Sequence, residues 1–202
     1  MRKPIWNYVK LAIETLPIAE PVYEFGAYQV EAAPESCDLR PLLPGKQYVG
    51  CDMRAGPGVD KVLNLHQIDL PDNSVGTVFL MDTLEHVEYP HQAMAEIHRI
   101  LKPDGLVIMS SVLDFFIHAT PNDFWRFTPD GFRSLLKAFN HSHVGYYGRD
   151  IFPHTVVGIG FKGQTLDTVK YLEQYTQWAL KQTHIVEKIT LDDMRKAIAA
   201  AK

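Results

Sequence analysis

Residues 77–111 read TVFLMDTLEHVEYPHQAMAEIHRILKPDGLVIMSS. The run Val78-Phe79-Leu80-Met81 is too short for a globular helix and apolar enough for a buried parallel strand, which Asp82 closes. From about His91 to Leu101, Met94, Ile97 and Leu101 recur at helical spacing, with Glu96 and Arg99 turned outward. Lys102-Pro103-Asp104-Gly105 stops that helix, because proline cannot continue the ladder and glycine tolerates the turn. Leu106-Val107-Ile108-Met109 is then a second buried strand. Strand, helix and strand in so compact a unit predict a right-handed crossover in a parallel sheet. Ligands of such sheets gather beyond the strand C-termini, so the segments after Met81 and Met109 face the expected site.

Extended to residue 72, this stretch resembles the middle of a class I S-adenosylmethionine-dependent methyltransferase (a methyltransferase type 11-like domain). The matching elements are the Asp72-Asn73-Ser74-Val75 turn before the fourth strand, Leu84-Glu85-His86-Val87 after it, and Arg99-Ile100-Leu101-Lys102-Pro103-Asp104-Gly105 leading into the fifth. The resemblance implies a Rossmann-like α/β fold. Its sheet is seven-stranded and mostly parallel, with an antiparallel last strand and helices on both faces. It also implies S-adenosylmethionine as cofactor and a small-molecule methyl acceptor as partner.

A length of 202 residues fits one such domain, 1–202, with an N-terminal helix in 1–20 and a C-terminal helical extension in 164–202. With 46% hydrophobic and 22% charged residues the composition is that of a soluble globular protein, and a net charge of −4 does not favour a nucleic-acid partner. Met1-Arg2-Lys3-Pro4 precedes no long apolar run, so neither a secretory signal nor a membrane span is expected, and the expected setting is cytoplasmic. Cys37 and Cys51 have no redox or metal spacing. The pairs His91/His98 and His141/His143 lack carboxylate partners, so no metal is expected.

Taken in order, Ile5, Val9, Ala12, Ile13 and Leu16 predict an amphipathic helix, and Pro21 to Ala27 a first strand with its turn. The resemblance puts cofactor contacts on Glu24 and Gly26, where the family has an acidic residue and then a glycine-rich loop. Here the later glycines are absent: Ala27-Tyr28-Gln29-Val30 replaces them, and Pro34 falls where the first helix would run. This half of the site is expected to be degenerate or rebuilt. Gln47 to Asp52 reads as the second strand, whose acidic end suits the ribose hydroxyls of an adenosine, and Met53 follows onto the adenine face. Gly56-Pro57-Gly58 is a turn, since no helix and no Lys-Ser/Thr follow it as in a phosphate loop. A third strand is expected over Val62 to Leu65, with Leu65 and His66 nearest the adenine and Asp82 at the cofactor edge of the fourth strand.

Residues 114–129, DFFIHATPNDFWRFTP, are dense in aromatics for a connector. They resemble the H-x-x-P-x-D-x-W-R-F-T-P segment of some small-molecule methyltransferases. On that resemblance His86 and His118 are base candidates, Asp123 an orienting group, Arg126 a clamp for an anionic substrate, and Phe116 and Trp125 pocket walls. A plain structural role for Trp125 and Arg126 fits the residue types equally well. Thr128-Pro129 begins a helix, 141–147 and 154–161 form an antiparallel edge pair, and helices follow over 165–181 and from Leu191 onward. The last helices could cap the fold or pair two subunits as a homodimer. The same pattern also admits a binding or regulatory protein that keeps the fold without catalysis.

Overall fold

The computed structural model describes residues 2–29, 38–118 and 122–186, the side chains of 183–186 excepted. The expected helix from Leu191, Cys37 and the Pro34 region lie outside the described residues.

Seven strands form one sheet: β1 (Val22–Phe25), β2 (Tyr48–Asp52), β3 (Lys61–Val62), β4 (Val75–Met81), β5 (Leu101–Val112), β6 (His141–Arg149) and β7 (Phe152–Phe161). Their spatial order is β3-β2-β1-β4-β5-β7-β6. β1 to β5 pair in parallel, while β7 runs antiparallel to both β5 and β6. This is the Rossmann-like sheet expected from the sequence.

Alternation along the strands feeds two cores. Val78 and Leu80 of β4 face the helices α2 (Pro90–Ile100) and α3 (Pro129–Leu135), whereas Phe79 and Met81 face α1 (Lys3–Thr15) and α4 (Val169–Val186). Helix α2 starts one residue before its expected first residue because Pro90 takes an N-terminal position that needs no N–H donor. Its Ala93, Met94, Ile97 and Ile100 are buried. Arg99 on its other side donates to the carbonyls of Ile68 and Leu70 and to Asp72 and Glu96, pinning the loop after β3. Thr128 caps α3 by accepting from the Gly131 N–H at 3.1 Å.

Other boundaries also differ from expectation: β5 already begins at Leu101, so the expected 102–105 stop and both flanks of Leu106–Met109 lie within one strand to Val112. β3 ends at Val62, not Leu65, because the Asn64 side chain accepts from the His66 N–H and turns the chain there. Helix α4 begins at Val169, where Asp167 accepts from the first helical N–H, and runs on to Val186. Among the described residues no helix is long and apolar enough to cross a membrane.

Helices α1 and α4 are tied edge to edge. The Tyr8 and Tyr171 hydroxyls lie 3.0 Å apart, both rings fully buried, and the Trp178 indole N–H donates to the Pro4 carbonyl at 2.9 Å. Tyr8→Phe strands the Tyr171 hydroxyl in an apolar core. Denaturant unfolding is expected to show a loss of about 1–3 kcal/mol, the cost of an unsatisfied buried polar group.

Candidate functional site

Parallel pairing in register brings the C-termini of β1, β2, β4 and β5 to one edge of the sheet. Gly26 follows β1 at φ +87°, and its N–H and that of Ala27 both donate to the Cys51 carbonyl. A Cβ on Gly26 would run into the Thr83 side chain, so this turn takes glycine for its φ and for its space. The next residues fold down onto the turn after β2. The Gln29 N–H donates to the Pro57 carbonyl, the Tyr28 ring fills the space beside Gly56, and the Arg54 guanidinium sits 4.4 Å above that ring.

Glu24 shares the α1 face of β1 with Val22, and its buried carboxyl accepts from the Tyr48 hydroxyl. Burial pushes its pKa up to about 7, partly opposed by that hydrogen bond.

At the end of β2, Asp52 Oδ1 accepts from the Arg54 N–H at 3.0 Å and from its Nε at 3.3 Å. Among the described residues none donates to Oδ2, and Met53 beside it is 60% exposed. Leu65 and His66 stand half-buried past β3. His66 Nε2 accepts from the Tyr89 N–H and its carbonyl accepts from Gln92, so this loop is fastened to the start of α2.

Asp82 closes β4 at φ +48° and receives a forked ion pair from Arg2, whose Nε and Nη2 lie 3.0–3.2 Å from its oxygens. Ser110 adds a hydroxyl bond at 2.8 Å. Arg2 Nη1 meanwhile reaches Thr155, Tyr147 and His154 Nδ1. Burial, with Arg2 second, lowers the His154 pKa to about 4, so the ring is neutral and accepts from Arg2. Nothing in the local pattern around Arg2 marks it for this place, and sequence reasoning missed it together with Ser110, Tyr147 and His154.

The segment after β5 folds back over the loop that follows β4. The Phe124 and Trp125 N–H groups donate to the Glu85 carbonyl, and the Trp125 indole donates to the carbonyls of Val87 and Glu88. This lays His118 against His86, ring centroids 4.9 Å apart and edge to face. His86 Nδ1 donates to the Asn122 carbonyl, and burial lowers its pKa. His118 Nδ1 faces the Phe116 carbonyl at 3.2 Å and Asp123 at 3.3 Å. Glu85 is fully buried against them. Burial, and then Asp82, raise its pKa to about 8.

Arg126 departs from the expected anion clamp. It grips Asp123 with Nη1 and Nη2 and also donates to the carbonyls of Phe115, Phe116 and Trp125, which uses every N–H the guanidinium has. Its bonds hold the Asp123 carboxyl near a pKa of 2. The pair therefore braces the loop, while Phe116 stays half-buried against Phe115 and Trp125 stays 44% exposed.

Residues 38–109 match the sequence model of a methyltransferase domain. That match and the shared fold support a class I S-adenosylmethionine-dependent methyltransferase.

Solved methyltransferases share the fold. A Thermotoga maritima S-adenosylmethionine-dependent methyltransferase, described as a possible histamine N-methyltransferase, is 20% identical with a TM-score of 0.56, over 77% of this chain and 89% of that one. An Archaeoglobus fulgidus S-adenosylmethionine-dependent methyltransferase gives 12% and 0.57, over 79% and 95%. The Burkholderia thailandensis 1,6-didemethyltoxoflavin-N1-methyltransferase, solved with 1,6-didemethyltoxoflavin and S-adenosylhomocysteine, gives 18% and 0.51, over 70% of each chain. No curated protein matches the sequence.

The domain match and a neighbour solved with S-adenosylhomocysteine support S-adenosylmethionine as the cofactor. Among the described residues Asp52 Oδ2 accepts from no donor, and Gly26 turns the chain at the end of β1 in the left-handed region. The aromatic segment after β5 stands over the neighbouring strand ends.

Two outcomes follow from this geometry. A Glu24 pKa raised above its unfolded value gives stability that is complete below about pH 4.5 and lost as pH rises toward 7. Thermal melts of Glu24→Gln and the native chain should therefore diverge over that window in favour of the variant, by roughly 3 kcal/mol at most. For the loop brace, Arg126→Lys cannot reproduce the fork on Asp123 and the three carbonyl bonds. Its unfolding free energy should fall by about 1–3 kcal/mol with cofactor titration unchanged.

Proposed function

We propose that this protein transfers the methyl group of S-adenosylmethionine to a small-molecule acceptor held beneath residues 113–118 and 122–127. The observation that carries the reading is Asp52, an acidic strand end with Oδ1 held in its own turn and Oδ2 without a donor among the described residues. When bound, the cofactor supplies an electrophilic methyl on a sulfonium. The chain's part is to align the acceptor in line with it and exclude water. Phe116 and Trp125 are apolar walls suited to that task, and Arg126 and Asp123 keep them in place. His86 and His118 each turn Nδ1 to a carbonyl, which leaves Nε2 to take a proton from a hydroxyl or amine acceptor. A cytoplasmic setting accords with the free thiol of Cys51.

The loop after Gly26 supports a narrower claim about the cofactor. With Tyr28 and Gln29 fastened to the 56–58 turn, the methionine end is held by fewer backbone contacts than the adenosine end. That same closure is the one feature favouring a non-catalytic binding protein, which would take up S-adenosylhomocysteine yet release no methylated product.

Calorimetric titration tests the assignment. Asp52→Ala should weaken S-adenosylmethionine binding by about 1.5–3 kcal/mol, roughly tenfold to a hundredfold, and unchanged affinity removes the ribose role. Adenosine alone should keep most of the binding energy. A large gain from the methionine moiety would show that the rebuilt loop engages it fully.

A further inference from the structure

We propose that Glu85, His86 and His118 form a binding site for a divalent first-row transition-metal ion. One ligand atom from each of the three lies within 4.8 Å of the other two. The juxtaposition is made by the main chain, because the Glu85 carbonyl collects the N–H groups of Phe124 and Trp125 and so draws the loop that carries His118 onto β4.

Three observations point to an ion rather than to packing. Glu85 is completely buried, and while Oε2 accepts from the Ser111 hydroxyl at 2.7 Å, Oε1 has no hydrogen-bond partner. Buried carboxylate oxygens are ordinarily bonded, and one left bare inside a cluster of imidazoles calls for a cation. The neighbouring cation does not serve, for the hydrogen bonds of Arg2 go to Asp82, Tyr147, His154 and Thr155. The third observation is the state of the histidines. Both Nδ1 atoms face main-chain carbonyls, and that of His118 also faces Asp123, which fixes the tautomer with the lone pair on Nε2. Histidines that ligate metals are held in this way by an outer acceptor on the other nitrogen.

Two imidazoles and one carboxylate suit zinc, iron, cobalt or manganese, and suit magnesium poorly, since magnesium prefers oxygen ligands. Three protein ligands leave positions open for water or for an oxygen of the acceptor. In the loaded form the ion takes the lone pairs that otherwise accept a proton. The site rests on its own geometry and not on the methyl-transfer reading.

The test uses the full chain, stripped with chelator and dialysed. Titration with Zn²⁺ and Co²⁺ should show one ion per chain at micromolar affinity or tighter, a visible Co²⁺ absorption band and a raised melting temperature, with no such response to Mg²⁺. His118→Ala, which leaves the core untouched, should weaken binding at least tenfold, as should Glu85→Gln if that variant folds. His91→Ala, an exposed histidine on α2, should leave it unchanged. Absence of binding, or equal binding by His118→Ala, overturns the proposal. S-adenosylmethionine titrated into the same stripped protein separates the two readings, because cofactor binding without metal leaves the methyltransferase assignment standing.

Discussion

The forked pair between Arg2 and Asp82 is the contact on which the functional edge depends. Asp82 leaves β4 in a left-handed conformation uncommon for an aspartate, and it stays there because Ser110 bonds its N–H and its carboxylate while Arg2 takes both oxygens. Through its other nitrogen Arg2 reaches β6 and β7, and its guanidinium lies 5.2 Å from the centre of the Phe115 ring. One side chain at the head of α1 thus ties together the ends of β4, β6 and β7 and the first aromatic of the loop above them. Both partners are largely withdrawn from water, so removing either leaves the other charge poorly compensated.

Around that knot the edge divides into two parts with different chemistry. The β1–β2 side is open and acidic, with Gly26, Asp52 and exposed Met53. On the β4–β5 side the edge is roofed, aromatic and rich in imidazole, and its roof is stiffened by the Asp123–Arg126 fork. Asp82 stands between them. A methyl donor on the open side and an acceptor under the roof would meet over β4, which is the arrangement an in-line transfer needs. The charge balance of the roofed side rests on Glu85, whose burial, bare oxygen and histidine neighbours make it more than a packing residue.

Much of this was legible in the sequence, and the reason is locality. The β4-α2-β5 unit announces itself through spacing alone, and Asp52 through its place after an apolar run, because both depend on neighbours within a few residues. Asp123 is near enough to Arg126 for an acid partner to be foreseen, yet residue types could not separate a clamp from a brace until the carbonyls of Phe115 and Phe116 were in place. Arg2 was illegible, since its role exists only once α1 packs across the sheet. The Glu85–His86–His118 cluster was hidden likewise. Its two histidines sit in loops after different strands, while the pairs that look suggestive in the sequence, His91/His98 and His141/His143, are not the ones the fold assembles.

The account stands most directly on where the adenosine goes. A crystal structure of the protein with S-adenosylhomocysteine should place the ribose hydroxyls within hydrogen-bond distance of Asp52 Oδ2, with the adenine toward Met53 and the sulfur directed at the space beneath Trp125. Ligand density elsewhere on the molecule, or a ribose with no contact to Asp52, would contradict it.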